Sequence, residues 1–134
     1  MNTVIDASVV VAALTASDTR GQWAEEQLLT ATSLLAPDII HTEVTHMLRR
    51  LEHTEAIDTT AASLAFNDLR QLPIDTVPFA AISGQMWELR HNLSAYDAAY
   101  AATAQVLNAP LATLDVRLAN APGTTCEFAL PPSG

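Results

Sequence analysis

The stretch that decides the fold is residues 3–14, Thr-Val-Ile-Asp-Ala-Ser-Val-Val-Val-Ala-Ala-Leu. Residues 3–5 are all β-branched and show no alternation of polar and apolar side chains, which is typical of a strand covered on both faces in a parallel sheet. Asp6 follows this strand directly, and Ser8 can cap the short buried helix, rich in Ala and Val, that comes next. Ligands of open α/β sheets bind at the carboxyl ends of the strands. Asp6 is therefore the first candidate for a functional side chain.

The length and composition predict one globular domain. The chain has 134 residues, of which 49% are hydrophobic, enough for one buried core and too few for two ordinary domains. We expect a single domain over residues 1–130 and a frayed tail over residues 131–134. No apolar run approaches the length of a membrane span, no signal segment precedes the first strand, and Cys126 is the only cysteine. We therefore expect a cytoplasmic protein without membrane attachment or an internal disulfide.

The charge balance excludes several classes of phosphate chemistry. The formal net charge is -9, all six basic residues are Arg, and Lys is absent. A protein that binds the phosphate backbone by charge alone carries a basic face, so nucleic acid would bind here only with the help of metal ions or a basic partner. The absence of Lys also excludes a Walker-type phosphate loop and a Schiff-base enzyme, because both require that side chain.

The rest of the chain alternates strand-like and helical segments, which indicates an α/β fold. A polar break at residues 18–21 separates the first two helices, and the polar residues 74–77 suit a strand near a sheet edge. Strands are expected at residues 3–5, 34–36, 74–77, 111–114 and 126–128. Helices are expected at residues 8–15, 22–30, 38–51, 58–70, 80–93, 94–107 and 116–121.

Four acids stand at special places in this pattern. Asp6 and Asp115 directly follow apolar strands, Asp97 lies in the first turn of a helix, and Glu43 borders the apolar face of another. Each alone has an ordinary structural explanation as a cap, a turn former or a surface charge. The carboxyl ends of parallel strands lie on one edge, so Asp6 and Asp115 are expected to be neighbours if their strands are adjacent.

Carboxylates that cluster in this way repel one another unless they are protonated or bridged by a cation. Their hard oxygen donors favour Mg²⁺ or Mn²⁺. Such a cation can hold a phosphodiester, stabilise negative charge in the transition state and lower the pKa of a bound water. The acidic site is thus expected to bind phosphate only once it contains metal.

Four segments carry a family resemblance. They read Val-Ile-Asp-Ala-Ser-Val at residues 4–9, Thr-Glu-Val at 42–44, Tyr-Asp-Ala-Ala-Tyr at 96–100 and Thr-Leu-Asp-Val-Arg-Leu-Ala at 113–119. In this order they resemble the signatures of PIN-domain nucleases and, more narrowly, of the VapC toxins of type II toxin–antitoxin systems. One such segment would be weak evidence, because an apolar strand followed by Asp is common. Four in the same order across almost the whole chain are specific.

The resemblance implies a three-layer α/β/α sandwich around a parallel sheet of about five strands in the order 3-2-1-4-5. It also implies a metal-dependent ribonuclease site formed by Asp6, Glu43, Asp97 and Asp115. Asp6 and Asp97 would be the principal ligands of Mg²⁺ or Mn²⁺, and Glu43 and Asp115 would complete the site directly or through water. The RNA cleavage expected of such a site would inhibit translation.

Three further residues are candidates for supporting roles. Ser8 and Thr113 can orient the carboxylates, although a capping role for Ser8 and a strand-filling role for Thr113 remain open. Arg117 can contact a phosphate or pair with a surface acid. Because Arg117 stands where some relatives have a further acid, the number of metal ions, one or two, also stays open.

The family further implies partners. These are an RNA substrate, a VapB-like antitoxin that is commonly basic where it covers the toxin, a toxin homodimer within a toxin–antitoxin hetero-oligomer, and operator DNA bound only through the antitoxin. The net charge of -9 suits a cationic peptide better than free RNA. The alternative function is a non-catalytic PIN-type scaffold or regulatory binding module that acts through its antitoxin complex.

The aromatic and histidine residues are interpreted more simply. Trp23, Trp87, Tyr96 and Tyr100 lie in amphipathic or Ala-rich segments, where core or dimer contacts are more typical than base stacking. The histidines at positions 41, 46 and 53 lack a fixed ligand spacing to Cys126, so polar surface roles are favoured over a metal site.

Overall fold

A computed structural model describes residues 1–132 as an α/β fold around a five-stranded parallel sheet. The fraying predicted for residues 131–134 therefore lies outside the described residues at its last two positions. The sheet order is β3-β2-β1-β4-β5, and every paired set of strands is parallel. The predicted fold class and strand order are confirmed. The strands are β1 Asn2–Ile5, β2 Ser33–Pro37, β3 Ile74–Val77, β4 Leu111–Ala112 and β5 Phe128–Ala129.

The helices pack in two groups. The first four contact one another, whereas the fifth packs on the sixth and shares a smaller apolar core with it. Within residues 1–132, none is both long enough and apolar enough to cross a membrane. The helices are α1 Ala7–Thr15, α2 Thr19–Thr30, α3 Ile40–His53, α4 Thr59–Gln71, α5 Phe79–Glu88, α6 Ala95–Leu107 and α7 Val116–Ala119.

Strand β1 occupies the centre of the sheet, as its unbroken β-branched sequence predicts. Val4 pairs with Leu35 on one side and with Leu111 on the other, and Val4 and Ile5 are completely buried. Such a strand has no solvated face, so alternation with polar side chains would place polar groups in the core. This central position puts Asp6 at the carboxyl edge between β2 and β4.

Two helix boundaries differ by three or more residues from the sequence prediction. Helix α2 begins at Thr19 with Asp18 as its cap, although a polar break was predicted through Gly21. A Cβ at Gly21 would lie 2.1 Å from the Ala16 carbonyl oxygen, so glycine allows α2 to begin directly against the end of α1. Helix α5 ends at Glu88, five residues before the predicted end. There Arg90 stacks on the Trp87 ring and donates a hydrogen bond to the Trp87 carbonyl at 2.8 Å.

Candidate active site at the carboxyl edge of the sheet

Asp6 is the most deeply buried acid of the site. It caps α1, where its Oδ1 accepts hydrogen bonds from the Val9 N–H at 3.2 Å and from the Ser8 hydroxyl, while Oδ2 accepts one from the Thr113 hydroxyl. A carboxylate has about four acceptor positions, so these three bonds fix the group and leave a free position. Burial raises the pKa of Asp6, and the hydrogen bonds oppose this effect. The hydrogen bonds thus hold the Asp6 carboxylate in one orientation, and the loss of its hydration costs free energy.

The hydroxyls of Ser8 and Thr113 connect Asp6 to the chain that follows β4. The Leu114 N–H donates to Ser8 Oγ at 3.3 Å, and the Asp115 N–H donates to Thr113 Oγ1 at 2.9 Å. Of the two roles left open for Ser8, capping belongs instead to Asp6, whose carboxylate accepts the N–H of Val9 at the start of α1. The position of Asp115 is therefore tied to that of Asp6 through Thr113.

Asp97 and Asp115 form the more exposed side of the site. Asp97 lies in the first turn of α6, whose cap is Ser94, and Asp115 caps α7 by accepting the Leu118 N–H at 3.3 Å. One nitrogen of Arg117 contacts the carboxylates of Asp97 and Asp115 at 3.4 and 3.2 Å. The exposed fraction of the Arg117 side chain is 80%, and exposed ion pairs contribute only about 0.2–1 kcal/mol. Arg117 therefore holds this pair of acids loosely.

Glu43 enters the site from the first turn of α3. Its Oε1 and the hydroxyl of Tyr100 are both buried and have no hydrogen-bond partner among the described residues. Burial raises the pKa of Glu43 most, the Tyr100 hydroxyl beside it lowers the pKa, and the charges of Asp6 and Asp97 raise it further. Glu43 therefore lies close enough to both aspartates for their negative charges to disfavour its ionised form.

The structure thus brings Asp6, Glu43, Asp97 and Asp115, here called the acidic cluster, to one edge of the sheet. The prediction that Asp6 and Asp115 are neighbours is confirmed by the pairing of β1 with β4. The catalytic and metal-binding roles of these residues stay predictions. Tyr100 was assigned to the core or a dimer contact, and its place beside Glu43 was missed. The sequence feature that indicates this place is the spacing of three residues between Asp97 and Tyr100, which puts both on one face of α6.

The donor chemistry of the acidic cluster fits a hard divalent cation. Its donors are carboxylate oxygens, which Mg²⁺ and Mn²⁺ prefer, and the unpartnered buried Oε1 of Glu43 is a polar atom that a cation would satisfy. Across residues 1–132, however, no three His, Cys, Asp or Glu side chains are already arranged to hold a metal ion. The acids therefore share a region without closing on one point, and a bound cation would have to draw them together.

Two cavities lie at the same edge of the sheet as the acidic cluster. One of about 530 Å³ is lined by Glu43 together with Thr42, His46 and Met47. A second of about 500 Å³ lies between the ends of β2 and β3 and helices α5 and α6 and is mostly apolar. The first cavity provides space beside Glu43 at the edge where α/β folds bind ligands, whereas none of the four acids lines the second.

Comparison with known proteins identifies the family. The PIN domain family matches residues 3–123. Ribonuclease VapC9 of Mycobacterium tuberculosis is 35% identical over 129 residues, which cover 96% of this chain and 98% of the relative. Ribonuclease VapC1 of the same organism is 38% identical over 128 residues, which cover 95% of this chain and 96% of the relative.

A solved structure has the same fold. The crystal structure of VapBC2 from Rickettsia felis, bound to a DNA fragment from its promoter, matches with a TM-score of 0.68. The match covers 97% of this chain and 98% of the other at 14% identity, so it supports the fold alone. The family match and the two relatives, which align over nearly their full length, establish that the chain belongs to the PIN-domain family of VapC ribonucleases.

Proposed function

We propose that this chain is the toxin of a type II toxin–antitoxin system and that it hydrolyses RNA phosphodiester bonds as a Mg²⁺- or Mn²⁺-dependent endoribonuclease, thereby inhibiting translation. The ribonuclease class follows from the family. The observation that supports the site assignment is the convergence of acids from α3, α6 and the ends of β1 and β4 on one sheet edge. A cytoplasmic location, expected from the lone Cys126, belongs to the same proposal.

Asp6 and Asp97 are proposed as the principal cation ligands, with Glu43 and Asp115 completing the site directly or through water. A divalent cation bound there would neutralise phosphate charge and lower the pKa of an attacking water. The protein contributes a fixed ligand, because three hydrogen bonds orient the Asp6 carboxylate before substrate arrives. Fixed charged groups favour catalysis because they need no reorganisation during the reaction.

Arg117 is proposed to exchange its acidic partners for a phosphate of the RNA. Its side chain is mostly exposed and makes only weak ion pairs with Asp97 and Asp115. A cation among the acids would compete for the same carboxylates and leave the guanidinium available. Guanidinium groups bind phosphate oxygens through paired N–H donors.

The partners are proposed from the net charge of the chain and from the family to which it belongs. A VapB-type antitoxin is supported by the VapBC assembly found among structures of the same fold. A net charge of -9 attracts a cationic antitoxin segment and repels free RNA. We propose a homodimer within a hetero-oligomer that contacts operator DNA through the antitoxin. RNA binding is expected to be weak and metal-dependent, and tight RNA binding in the presence of a chelator would contradict this expectation.

Asparagine substitutions in the site test the catalytic proposal. Asp6→Asn and Asp97→Asn are expected to abolish growth arrest after induction and RNA cleavage by the purified chain, because each removes a charged ligand at nearly constant volume. Asp68→Asn, which changes an exposed acid on α4, serves as the matched control. Antitoxin binding is measured in parallel to show that each variant folds.

The outcomes separate two functions. Loss of toxicity and cleavage with antitoxin binding intact supports the enzyme. Unchanged toxicity in Asp6→Asn and Asp97→Asn contradicts catalysis and favours a scaffold that acts through its antitoxin complex. Sequencing of RNA ends shortly after induction then identifies the cleaved RNA, whose selection depends on loops and RNA shape.

A further inference from the structure

Tyr100 carries a buried hydroxyl that its place in the core does not explain. The residue is only 3% exposed on α6, and its hydroxyl has no hydrogen-bond partner among the described residues. Burial of an unpaired hydroxyl is costly, and phenylalanine would fill the same space without that cost. We therefore expect the hydroxyl to form a hydrogen bond in at least one functional state of the site.

The neighbouring unpaired atom belongs to the acidic cluster. Glu43 Oε1 is the other buried side-chain atom without a hydrogen-bond partner among the described residues. The two groups are complementary, because a phenol O–H donates and a carboxylate accepts. Tyr100 and Asp97 also share one face of α6, so this helix supplies both an acid and a hydroxyl to the region of Glu43.

The phenol of Tyr100 is able to donate near neutral pH, because the ordinary pKa of a tyrosine hydroxyl is about 10. Burial raises the pKa of Tyr100, and the charges of Glu43, Asp6 and Asp97 raise it further. The hydroxyl thus lies where the fields of three acids overlap. A neutral donor at this place stabilises a carboxylate without adding a charge that would compete with a cation.

We propose that Tyr100 is a positioning residue for the metal site of the proposed ribonuclease, whose hydroxyl donates a hydrogen bond to the Glu43 carboxylate and turns this group toward Asp6 and Asp97. The inference rests on the proposed function. The phenol occupies one acceptor position of Glu43 Oε1, and the second position of Oε1 and the other carboxylate oxygen remain for the cation or its water. Partners that orient a metal-binding carboxylate in this way typically change metal affinity by 10–100-fold.

The test is a Mn²⁺ titration of the purified 134-residue chain and its variants, monitored by calorimetry. Tyr100→Phe keeps the ring and removes only the hydroxyl, and it is expected to raise the Kd for Mn²⁺ by about 10- to 100-fold. The matched control is Thr103→Val, which removes another buried hydroxyl of α6 whose partner is the Ala99 carbonyl at 2.7 Å. Thr103→Val is expected to leave the Kd unchanged. Equal Mn²⁺ affinity of Tyr100→Phe and the wild type would overturn the inference.

A double-mutant cycle tests whether Tyr100 acts through Glu43. In the Glu43→Ala background, where position 43 has no side-chain acceptor, the added Tyr100→Phe change is expected to alter the Mn²⁺ Kd by less than about twofold, because coupled residues are non-additive. A full effect of Tyr100→Phe in that background overturns the inference, since the hydroxyl would then act by another route. A purely structural role of Tyr100 predicts no change of Kd in either background.

The same experiment separates this inference from the proposed function. Mn²⁺ binding by the wild type without RNA cleavage overturns the ribonuclease proposal, while the variant affinities still decide the role of Tyr100. Absence of Mn²⁺ binding by the wild type overturns both the inference and the metal dependence of the proposed function. RNA cleavage together with the expected pattern of affinities supports both.

Discussion

The two ends of the acidic cluster are held by different kinds of contact. Asp6 is 7% exposed and accepts hydrogen bonds from two hydroxyls and one backbone N–H. Asp97 and Asp115 are partly exposed and share one exposed partner, the guanidinium of Arg117. Neutral donors therefore fix the buried end, whereas a solvated charge balances the outer end.

This difference teaches how a lysine-free, acidic chain can assemble carboxylates before a cation arrives. Burying Asp6 is tolerated because its acceptor positions are nearly filled by protein donors. The outer acids keep much of their hydration, so a weak ion pair suffices there. A rigid inner ligand and an adjustable outer pair suit a site whose acids must draw together around metal.

The largest expected effect comes from breaking the buried end. Thr113→Val removes the hydroxyl that donates to Asp6 and accepts the Asp115 N–H at 2.9 Å. A buried carboxylate oxygen and a backbone N–H then lose their partner at nearly constant volume. We expect the free energy of unfolding to fall by about 1–3 kcal/mol, measured by urea denaturation in the presence of a chelator.

Thr103→Val is again the matched control for this prediction. Thr103 is also completely buried, but its hydroxyl bonds to a helical carbonyl of α6 and to no charged group. Its loss is expected to cost less than the loss of Thr113. Equal destabilisation by the two substitutions would show that the hydrogen bond to Asp6 contributes no more to the free energy of unfolding than the one to a helical carbonyl.

Glu43 is the member of the cluster that interacts with both ends. The pH dependence of the free energy of unfolding tests how strongly burial disfavours its ionised form. Burial raises its pKa above the ordinary value of 4.5, so the folded state binds a proton at this group more tightly than the unfolded state. The stabilisation that comes from this tighter proton binding is fully present at pH below 4.5 and is lost as the pH rises through the raised pKa. Without metal, Glu43→Gln should therefore gain stability relative to the wild type as pH rises through this range.

The measurement is the free energy of unfolding of both proteins in chelator, as the pH is raised from below 4.5 to neutral pH. The effect is expected to be smaller than that of Thr113→Val, because Glu43 is only partly buried. A difference between Glu43→Gln and wild type that stays constant with pH would contradict the raised pKa.

Local sequence predicted those parts of the site that depend on strand ends. Asp6 and Asp115 were expected to be neighbours because each follows an apolar strand, and β1 indeed pairs with β4. Their neighbourhood needs only the parallel topology, which the alternation of helices and strands indicates. The sequence similarity to nuclease signatures supplied the strand order that periodicity alone leaves open.

Contacts between distant side chains were not predictable in the same way. The pairing of Arg117 with Asp97 crosses twenty residues of sequence, and the phenol of Tyr100 faces an acid from α3. An aromatic residue in an Ala-rich helix indicates burial but does not tell what its polar atom meets. The early start of α2 likewise depends on a close approach of Gly21 to the Ala16 carbonyl.

The smallest expected effect comes from breaking the outer end. Arg117→Ala removes the shared partner of Asp97 and Asp115, and exposed pairs of this kind contribute about 0.2–1 kcal/mol. We expect a loss of stability within this range at low ionic strength and almost none at about 1 M salt, where the Debye length falls to about 3 Å. Urea denaturation at both salt concentrations measures the change. A salt-independent loss above about 1 kcal/mol would mean that Arg117 packs as part of the fold, and the contrast between a fixed inner acid and an adjustable outer pair would then fail.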